Sequence, residues 1–496
     1  MSSALPALPR PRLRRPDWSS PTVARTEVLA GLVVALALIP EAISFSIIAG
    51  VDPRVGLFAS FTMAVTISIV GGRPAMISAA TGAVALVVAP LVHLYGLGYL
   101  LATVVLAGAF QVLIGLAGFA KLMRFIPRSV MVGFVNALAI LIFLAQLPHL
   151  VHVPWLVYPM VAAGLAIIFL LPRLTRAVPA PLVSIIVLTA LTVTAGIAVP
   201  NVGGEGALPT SLPFLALPSV PLTVGTLRII APYALGMAFV GLMESLMTAK
   251  LVDDITDTHS DKTRESCGQG IANIVTGFFG GMGGCAMIGQ TMINVGSGAR
   301  TRLSTFLAGV FLLVLVVGLG DVVAVIPMAA LVAVMIFVSI STFDWHSLRT
   351  LRRMPRSETA VMLATVAVVV ATSNLAIGVG VGVLVACVLF ARRVAHLVEV
   401  TSETAPDGRT RVYSVHGAMF FASSNELYTQ FDYAGDPDAV VIDLSDAHVW
   451  DASTVAALDA ITHKYGTRGK TVEIVGLTGH SADRYERHTG RLAGAH

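Results

Sequence analysis

Fourteen apolar runs, separated by short polar or Gly/Pro-marked turns, occupy residues 24 to 397 of this chain. They lie near 24–50, 55–72, 74–95, 98–120, 125–147, 155–172 and 179–199, then near 229–250, 266–281, 284–297, 303–320, 322–341, 358–376 and 377–397. So much apolar length cannot be packed into one water-soluble core. At roughly 27 residues per span and connection it reads as membrane helices. Only 12% of the 496 residues are charged, about half the share of a soluble chain. Residues 399–496 hold 14 of the 28 acidic side chains. Residues 23–398 therefore read as a transmembrane domain and 408–496 as a soluble one.

Loop charge tests the count. If the N-terminus is inside, the even-numbered connections should be cytoplasmic and basic. They hold Arg73; Lys121, Arg124, Arg128; Arg173, Arg176; Lys250, Lys262, Arg264; Arg300, Arg302; and Arg349, Arg352, Arg353, Arg356. That is 15, against Arg54 and Arg228 in the odd-numbered ones. A wrong count would scatter these charges. Both termini are expected in the cytoplasm of a cell with this chain in its inner (plasma) membrane. Residues 1–22, rich in Pro and Arg with no apolar stretch or cleavage site, read as a cytoplasmic lead-in, not a signal peptide.

A turn-rich segment at about 200–222 divides the spans seven and seven. An odd number per half inserts the halves in opposite orientations, as in the inverted repeats of secondary transporters, here about 23–200 and 223–398. Internal landmarks agree. Glu41 stands about 40 positions before Ala79-Ala80-Thr81-Gly82, and Glu244 stands about 40 before Gly283-Gly284-Cys285-Ala286. Beyond residue 408, RVYSV, AMFFA, AVVIDLS and TVEIVGL read as strands, and 424–431, 453–465 and 481–489 as helices. That alternation makes a small α/β domain.

Glu41 and Glu244 are the acidic residues deep within apolar runs, and no Lys or Arg is comparably placed. An ionisable group at membrane depth is costly unless paired, neutralised or facing water, and so is a functional candidate. The bland reading is a protonated acid bonded to a neighbouring helix. Two small-residue stretches, 74–82 and 280–289, enter helices at matching places in the two halves. Two half-helices starting at mid-membrane would aim their N-terminal N–H groups at one spot, forming an anion site without a basic side chain. Close packing through small residues is the alternative, and the matched positions favour the site.

Phe45, one turn beyond Glu41, could wall such a cavity, and Thr248 is one turn from Glu244. Gln290 and Asn294 are polar groups on the second half-helix. Cys267, Cys285 and Cys387 give no disulfide framework, and the His residues show no metal spacing. Without a nucleotide loop, nucleophile elbow or redox motif, enzyme chemistry and a cofactor have no support. The dispersed basic residues do not point to nucleic acid.

The segment GVDPRVGLFASFTMAVTISIVGGRPAMISAATGAVALVV resembles the signature region of the sulfate permease family, prokaryotic relatives of the solute-carrier-26 anion transporters. GQGIANIVTGFFGG, INVGSGARTRLS and, in the last domain, AVVIDLSDAHVWDASTVAALDAI are similar to further family stretches, the last to the centre of a STAS domain. The resemblance implies a 14-span 7+7 inverted repeat of core and gate helices with a cytoplasmic STAS domain. It implies a substrate site at Glu41, Phe45, Ala79, Ala80, Thr81, Gly82, Ala286, Met287, Ile288, Gly289 and Gln290. Independently of the resemblance, Glu244 first and Glu41 second are expected to carry the coupling proton, because neither has a cationic partner in its own span, with Thr248 and Asn294 in support. A homodimer, and a cytoplasmic partner for the STAS domain, are implied as well. Gln290 replaces an Arg of animal relatives. The hydroxyl that sodium-coupled relatives carry near Ile288 is missing. Ser453 matches a position phosphorylated in stand-alone STAS regulators, although beside Asp451 it reads as a helix-cap residue.

The expectation is a secondary transporter of small anions. A C4-dicarboxylate such as fumarate entering with protons is placed first, because dipoles and apolar side chains suit a flat organic anion. Sodium-coupled or uncoupled transport of bicarbonate or sulfate is the alternative. A sensor signalling through STAS is the rival from another class.

Overall fold

The computed structural model describes residues 21–118, 126–174, 179–215, 217–221, 223–351, 353–395, 398–406, 408–421, 423 and 427–490. The lead-in read over 1–22 lies outside them except for residues 21 and 22, as do Lys121, Arg124, Arg176 and Arg352. The chain forms two compact units, 1–383 and 384–496.

The first unit is helical: α1 (Pro21–Ala49), α2 (Pro53–Val70), α3 (Gly82–Leu116), α4 (Arg128–Leu144), α5 (Val157–Leu174), α6 (Ala180–Thr194), α7 (Val224–Thr256), α8 (Lys262–Phe278), α9 (Ile288–Gly296), α10 (Arg302–Gly318), α11 (Gly320–Ala324), α12 (Met328–Thr342), α13 (Trp345–Thr350), α14 (Arg356–Thr372) and α15 (Leu375–Ala395), the last straddling the division. Before α3 and α9 lie two short strands, β1 (Ser78–Ala79) and β2 (Cys285–Ala286). Gly96, with φ 80°, breaks α3 into two spans, as the run boundary at 95–98 requires. Counting α3 twice gives seven spans before the linker. Seven more follow: α7 to α10, α12, α14 and α15.

The two halves correspond element by element. α3 packs along α7 and α8, and α10 packs in the same way along α1 and α2. β1 and β2 pair antiparallel, Ser78 with Ala286 and Ala79 with Cys285, as a local two-fold axis demands. These elements form the core bundle. α4 packs against α12 and α14, and α5 against α6 and α12, forming the gate bundle. The helix starts differ for several of these helices, although core helices α2 and α9 have no side-chain cap and α2 starts at Pro53. Gate helices α4, α6, α12 and α14 follow Pro127, Pro179, Pro327 and Pro355, which have no N–H to leave unbonded. Core helices α3, α7, α8 and α10 are capped by the side chains of Thr81, Thr223, Asp261 and Thr301.

Lipid gives helices little hydrophobic reason to associate, so close backbone packing must hold the core together. A Cβ on Gly108 of α3 would lie 2.5 Å from the carbonyl oxygen of Gly270 on α8, and one on Gly270 would lie 2.5 Å from that of Gly108. Buried carboxylates close the helix ends. Glu27 of α1 accepts the N–H groups of Arg300 (2.8 Å), Thr301 (3.0 Å) and Ser304 (3.1 Å) at the start of α10. Removing it strands three donors. Glu27→Ala should destabilise the purified protein by on the order of 3 kcal/mol. An unchanged thermal midpoint in detergent would contradict this role.

The second unit contains β3 (Glu399–Thr404), β4 (Thr410–Met419), β5 (Ala439–Asp443), β6 (Ala447–Val449), α16 (Ala452–Gly466), β7 (Thr471–Val475) and α17 (Gly479–His488). The sheet order is β3-β4-β5-β7, with β6 also beside β4; β3 is antiparallel and the other pairings are parallel. RVYSV and the start of AMFFA form one strand, β4, and β3 precedes the expected start at 408. Of the helix read over 424–431, residues 424–426 lie outside the described residues, and Tyr428–Gln430 form a single tight turn of helix. Asp451 caps α16 through Thr454 N–H at 3.0 Å, while Ser453 stands exposed in the first turn. Asp451, not Ser453, is the cap.

In the core of this domain the phenols of Tyr413 and Tyr465 both donate to Oδ2 of Asp436, at 2.8 and 2.6 Å. Burial, and then this bond, hold the Tyr465 phenol well above its ordinary range, so it stays a donor at any physiological pH. Asp436→Ala should destabilise the domain by about 2–4 kcal/mol. Hydrogen exchange across β5 and α16 in the full chain should accelerate, and unchanged protection would count against the network.

Candidate functional site

Extended backbone at membrane depth survives only if its polar groups find partners in the protein. β1 and β2 meet that demand with polar side chains scattered through otherwise apolar helices. Ser60 of α2 accepts Ala80 N–H at 3.3 Å, and Ser245 of α7 accepts Ala286 N–H at 3.0 Å. Asn273 of α8 accepts Gly284 N–H (2.9 Å), and its amide donates to the Gly284 carbonyl (3.0 Å) and to Gln111 (2.9 Å). Thr291 accepts Ile77 N–H at 3.0 Å, and Met287 N–H reaches the Ile77 carbonyl at 2.9 Å.

The paired strands deliver α3 and α9 from opposite sides to one place. N–H groups in the first turn of a helix have no intrahelical partner. Those of Gly82 and Ala83 on α3, and of Ile288, Gly289 and Gln290 on α9, therefore border a common space. That space is a cavity of about 590 Å³ between the core and gate bundles. On the core side Glu41 and Phe45 of α1 and Glu244 and Met247 of α7 complete its lining. The gate side is mostly apolar: Phe134, Leu138 and Ile142 of α4, with Val334 and Phe337 of α12, whose last residues Ser341 and Thr342 add two hydroxyls. Glu41 and Glu244 are the ionisable groups in this lining, and no Lys, Arg or His joins them among the described residues. Toward one end the cavity runs past Pro172, Pro179, Ser297 and Thr342. That end carries the basic connections with Arg173, Arg300 and Arg349.

The sequence candidates separate into two groups. Glu41, Phe45, Thr81, Gly82, Glu244, Met287, Ile288, Gly289 and Gln290 line the cavity. Gln290 lies within hydrogen-bonding reach of Glu41. Ala79, Ala80 and Ala286 are fully buried in β1, β2 and the residue after β1, behind the lining. Thr248 is also buried, and its hydroxyl donates to the Glu244 carbonyl of its own helix at 2.8 Å. Asn294 donates to the Ala75 carbonyl and to Ser304, both at 2.9 Å, tying α9 to the rest of the core. These five hold the backbone in place and do not reach the cavity.

Cys285 was missed as a partner of Glu244. Its thiol donates to Oε2 of Glu244 at 2.9 Å and lies 3.1 Å from the Thr81 hydroxyl. Read as one of three unpaired cysteines, it gave no signal; its place in the second small-residue stretch was the available clue. The gate residues were missed because apolar side chains on apolar helices cannot be told from lipid-facing ones.

The profile of the sulfate permease family matches residues 25–158 and 157–365. The chain belongs to the sulfate permease family. A STAS domain profile matches residues 401–489, so this family member is a multi-pass membrane transporter followed by a STAS domain. It is 56% identical to YbaR of Bacillus subtilis (strain 168) over 453 residues, covering 91% of this chain and 94% of that protein. It is 25% identical to the bicarbonate transporter BicA of Picosynechococcus over 516 residues, covering 93% of this chain and 90% of BicA. The transmembrane domain of a cyanobacterial BicA superimposes with TM-score 0.65 at 26% identity, covering 71% of this chain and 97% of that one. Murine Slc26a9 shares the fold with TM-score 0.82 at 15% identity, over 95% of this chain and 88% of its own.

Proposed function

We propose that this family member is a proton-coupled symporter of small carboxylates, with a C4-dicarboxylate such as fumarate first. It would work as a homodimer in the inner membrane with both termini cytoplasmic. The observation that carries the reading is the cavity itself. Two helix N-termini face a space whose only ionisable lining groups, among the described residues, are two carboxyls without a cationic partner. An anion is drawn by the N–H groups, and its charge disfavours an ionised Glu244 nearby. Anion and proton therefore favour one another's binding, as symport requires. With the basic connections inside, the cavity opens to the cytoplasm.

Sodium coupling would need several hard oxygen ligands around an ionised carboxylate. Glu244 has instead a thiol as neighbour, and the Thr248 hydroxyl is turned to its own helix. A second substrate reading comes from the relatives: YbaR is named for sulfate transport and BicA for bicarbonate. Against sulfate stands the mostly apolar gate side, which beyond Ser341 and Thr342 offers a strongly hydrated tetrahedral anion little replacement for its water.

Counterflow of labelled fumarate, sulfate and bicarbonate into proteoliposomes ranks the substrates. Fumarate should lead. Sulfate uptake tenfold above fumarate would overturn the ranking, and no counterflow of any anion would favour a sensor. The STAS domain is proposed to regulate or support folding and trafficking, outside the translocation path. A chain ending near residue 395 should keep specific uptake; a well-folded but inactive truncation would contradict this.

A further inference from the structure

We infer that Cys285 is a positioning residue whose thiol lets protonation of Glu244 release the Thr81 hydroxyl to the bound anion. The inference rests on the proton-symport reading and supplies its coupling device. Three elements meet here: α7 brings Glu244, β2 brings Cys285, and Thr81 caps α3. The Cys285 sulfur is 2.9 Å from Oε2 of Glu244 and 3.1 Å from Oγ1 of Thr81. Cys285 is fully buried, whereas Thr81 and Glu244 both reach the cavity.

A thiol and a hydroxyl each hold one hydrogen to donate and can also accept. An ionised carboxylate can only accept. When Glu244 is ionised, the S–H must point to it, and the sulfur is left to accept from the Thr81 O–H. The hydroxyl hydrogen is then spent inside the protein. When a proton from the cavity water binds Oε2, the carboxyl becomes the donor to the sulfur. The S–H turns to Thr81 Oγ1, and the hydroxyl hydrogen is freed toward the cavity, beside the first-turn N–H groups of α3. The only covalent change is the new O–H bond at Glu244; every other hydrogen stays on its own atom.

Protonation thus adds one donor to the anion site, and an anion held by Thr81 favours the protonated carboxyl in return. Glu41, with Gln290 beside it, is the other ionisable group facing this cavity. The elements behind Glu244 present neutral side chains, Gln111 of α3 and Asn273 of α8. Serine at position 285 could make the same reversal. Alanine could not.

Two readouts test the device. In full-length protein carrying Cys267→Ser and Cys387→Ser, the infrared S–H stretch reports Cys285 alone. It should shift between alkaline and acidic pH, and lose that shift in Glu244→Gln. In uptake of labelled fumarate, sulfate and bicarbonate, half-saturation in the wild type should tighten about tenfold on acidification, the worth of one hydrogen bond to a charged group. Cys285→Ala should flatten that dependence, Thr81→Val should weaken binding at acidic pH, and Cys285→Ser should restore the wild-type profile. A full pH dependence in Cys285→Ala overturns the device, as does an S–H band that ignores Glu244→Gln. Wild-type uptake that ignores pH while the S–H band still responds overturns the symport reading instead and leaves the hydrogen-bond chain standing.

Discussion

Glu244→Gln is expected to abolish accumulation driven by an inward-acid pH gradient, a loss on the order of tenfold or more in the accumulated ratio. Glutamine mimics the neutral acid in shape and in its ability to donate toward Cys285, so the protein should fold normally. Anion binding should persist and lose most of its pH dependence, with Glu41 remaining as the other ionisable group of the cavity. Removing the site of protonation removes only the ability to load and unload the proton. The same gradient should still drive Glu41→Gln in part, because Glu41 is the second carrier and has Gln290 as partner. Equal acceleration of wild type and Glu244→Gln by the gradient would rule Glu244 out.

Gly284→Ala should be the most damaging single methyl in the core. The added Cβ would run into the Ala79 carbonyl oxygen and stand 2.6 Å from its carbon, both backbone atoms of the paired strand. Neither can move without parting β1 from β2 and so separating the starts of α3 and α9. The variant should lack a monodisperse folded fraction in detergent, or show specific uptake at background. Gly289→Ala is the control, since nothing lies within 4 Å of its added Cβ. It should fold, and any effect should fall on half-saturation for the anion. A well-folded, active Gly284→Ala protein would mean that the strand pairing is not required.

The membrane architecture was legible because bilayer thickness and loop charge each constrain it separately. Arg73, Arg173 and Arg300 alone place three turns on one side. The broken helices were legible from small residues at matching positions, a pattern that would otherwise need coincidence. What could not be read was direction. Ala79, Ala80 and Ala286 belong to the two stretches that border the cavity, yet strand pairing turns them into the protein, while Thr81 and Met287 reach the cavity. Thr248, one turn from Glu244, was placed beside it by helical spacing, but its hydroxyl closes on its own backbone. Cys285, 41 positions from Glu244, meets it only because β2 folds back against α7. In the second unit, β3 was hidden because Glu399–Thr404 is polar and mostly exposed, and so shows no apolar run.

The most direct test of proton-coupled anion transport is uptake by wild-type proteoliposomes, without sodium, under an imposed inward-acid pH gradient. Labelled fumarate, sulfate and bicarbonate would be compared. Fumarate should accumulate above its equilibrium level while the gradient lasts, and lose that accumulation when a protonophore collapses it. A requirement for sodium, or uptake that never exceeds equilibrium and ignores the protonophore, would contradict the account.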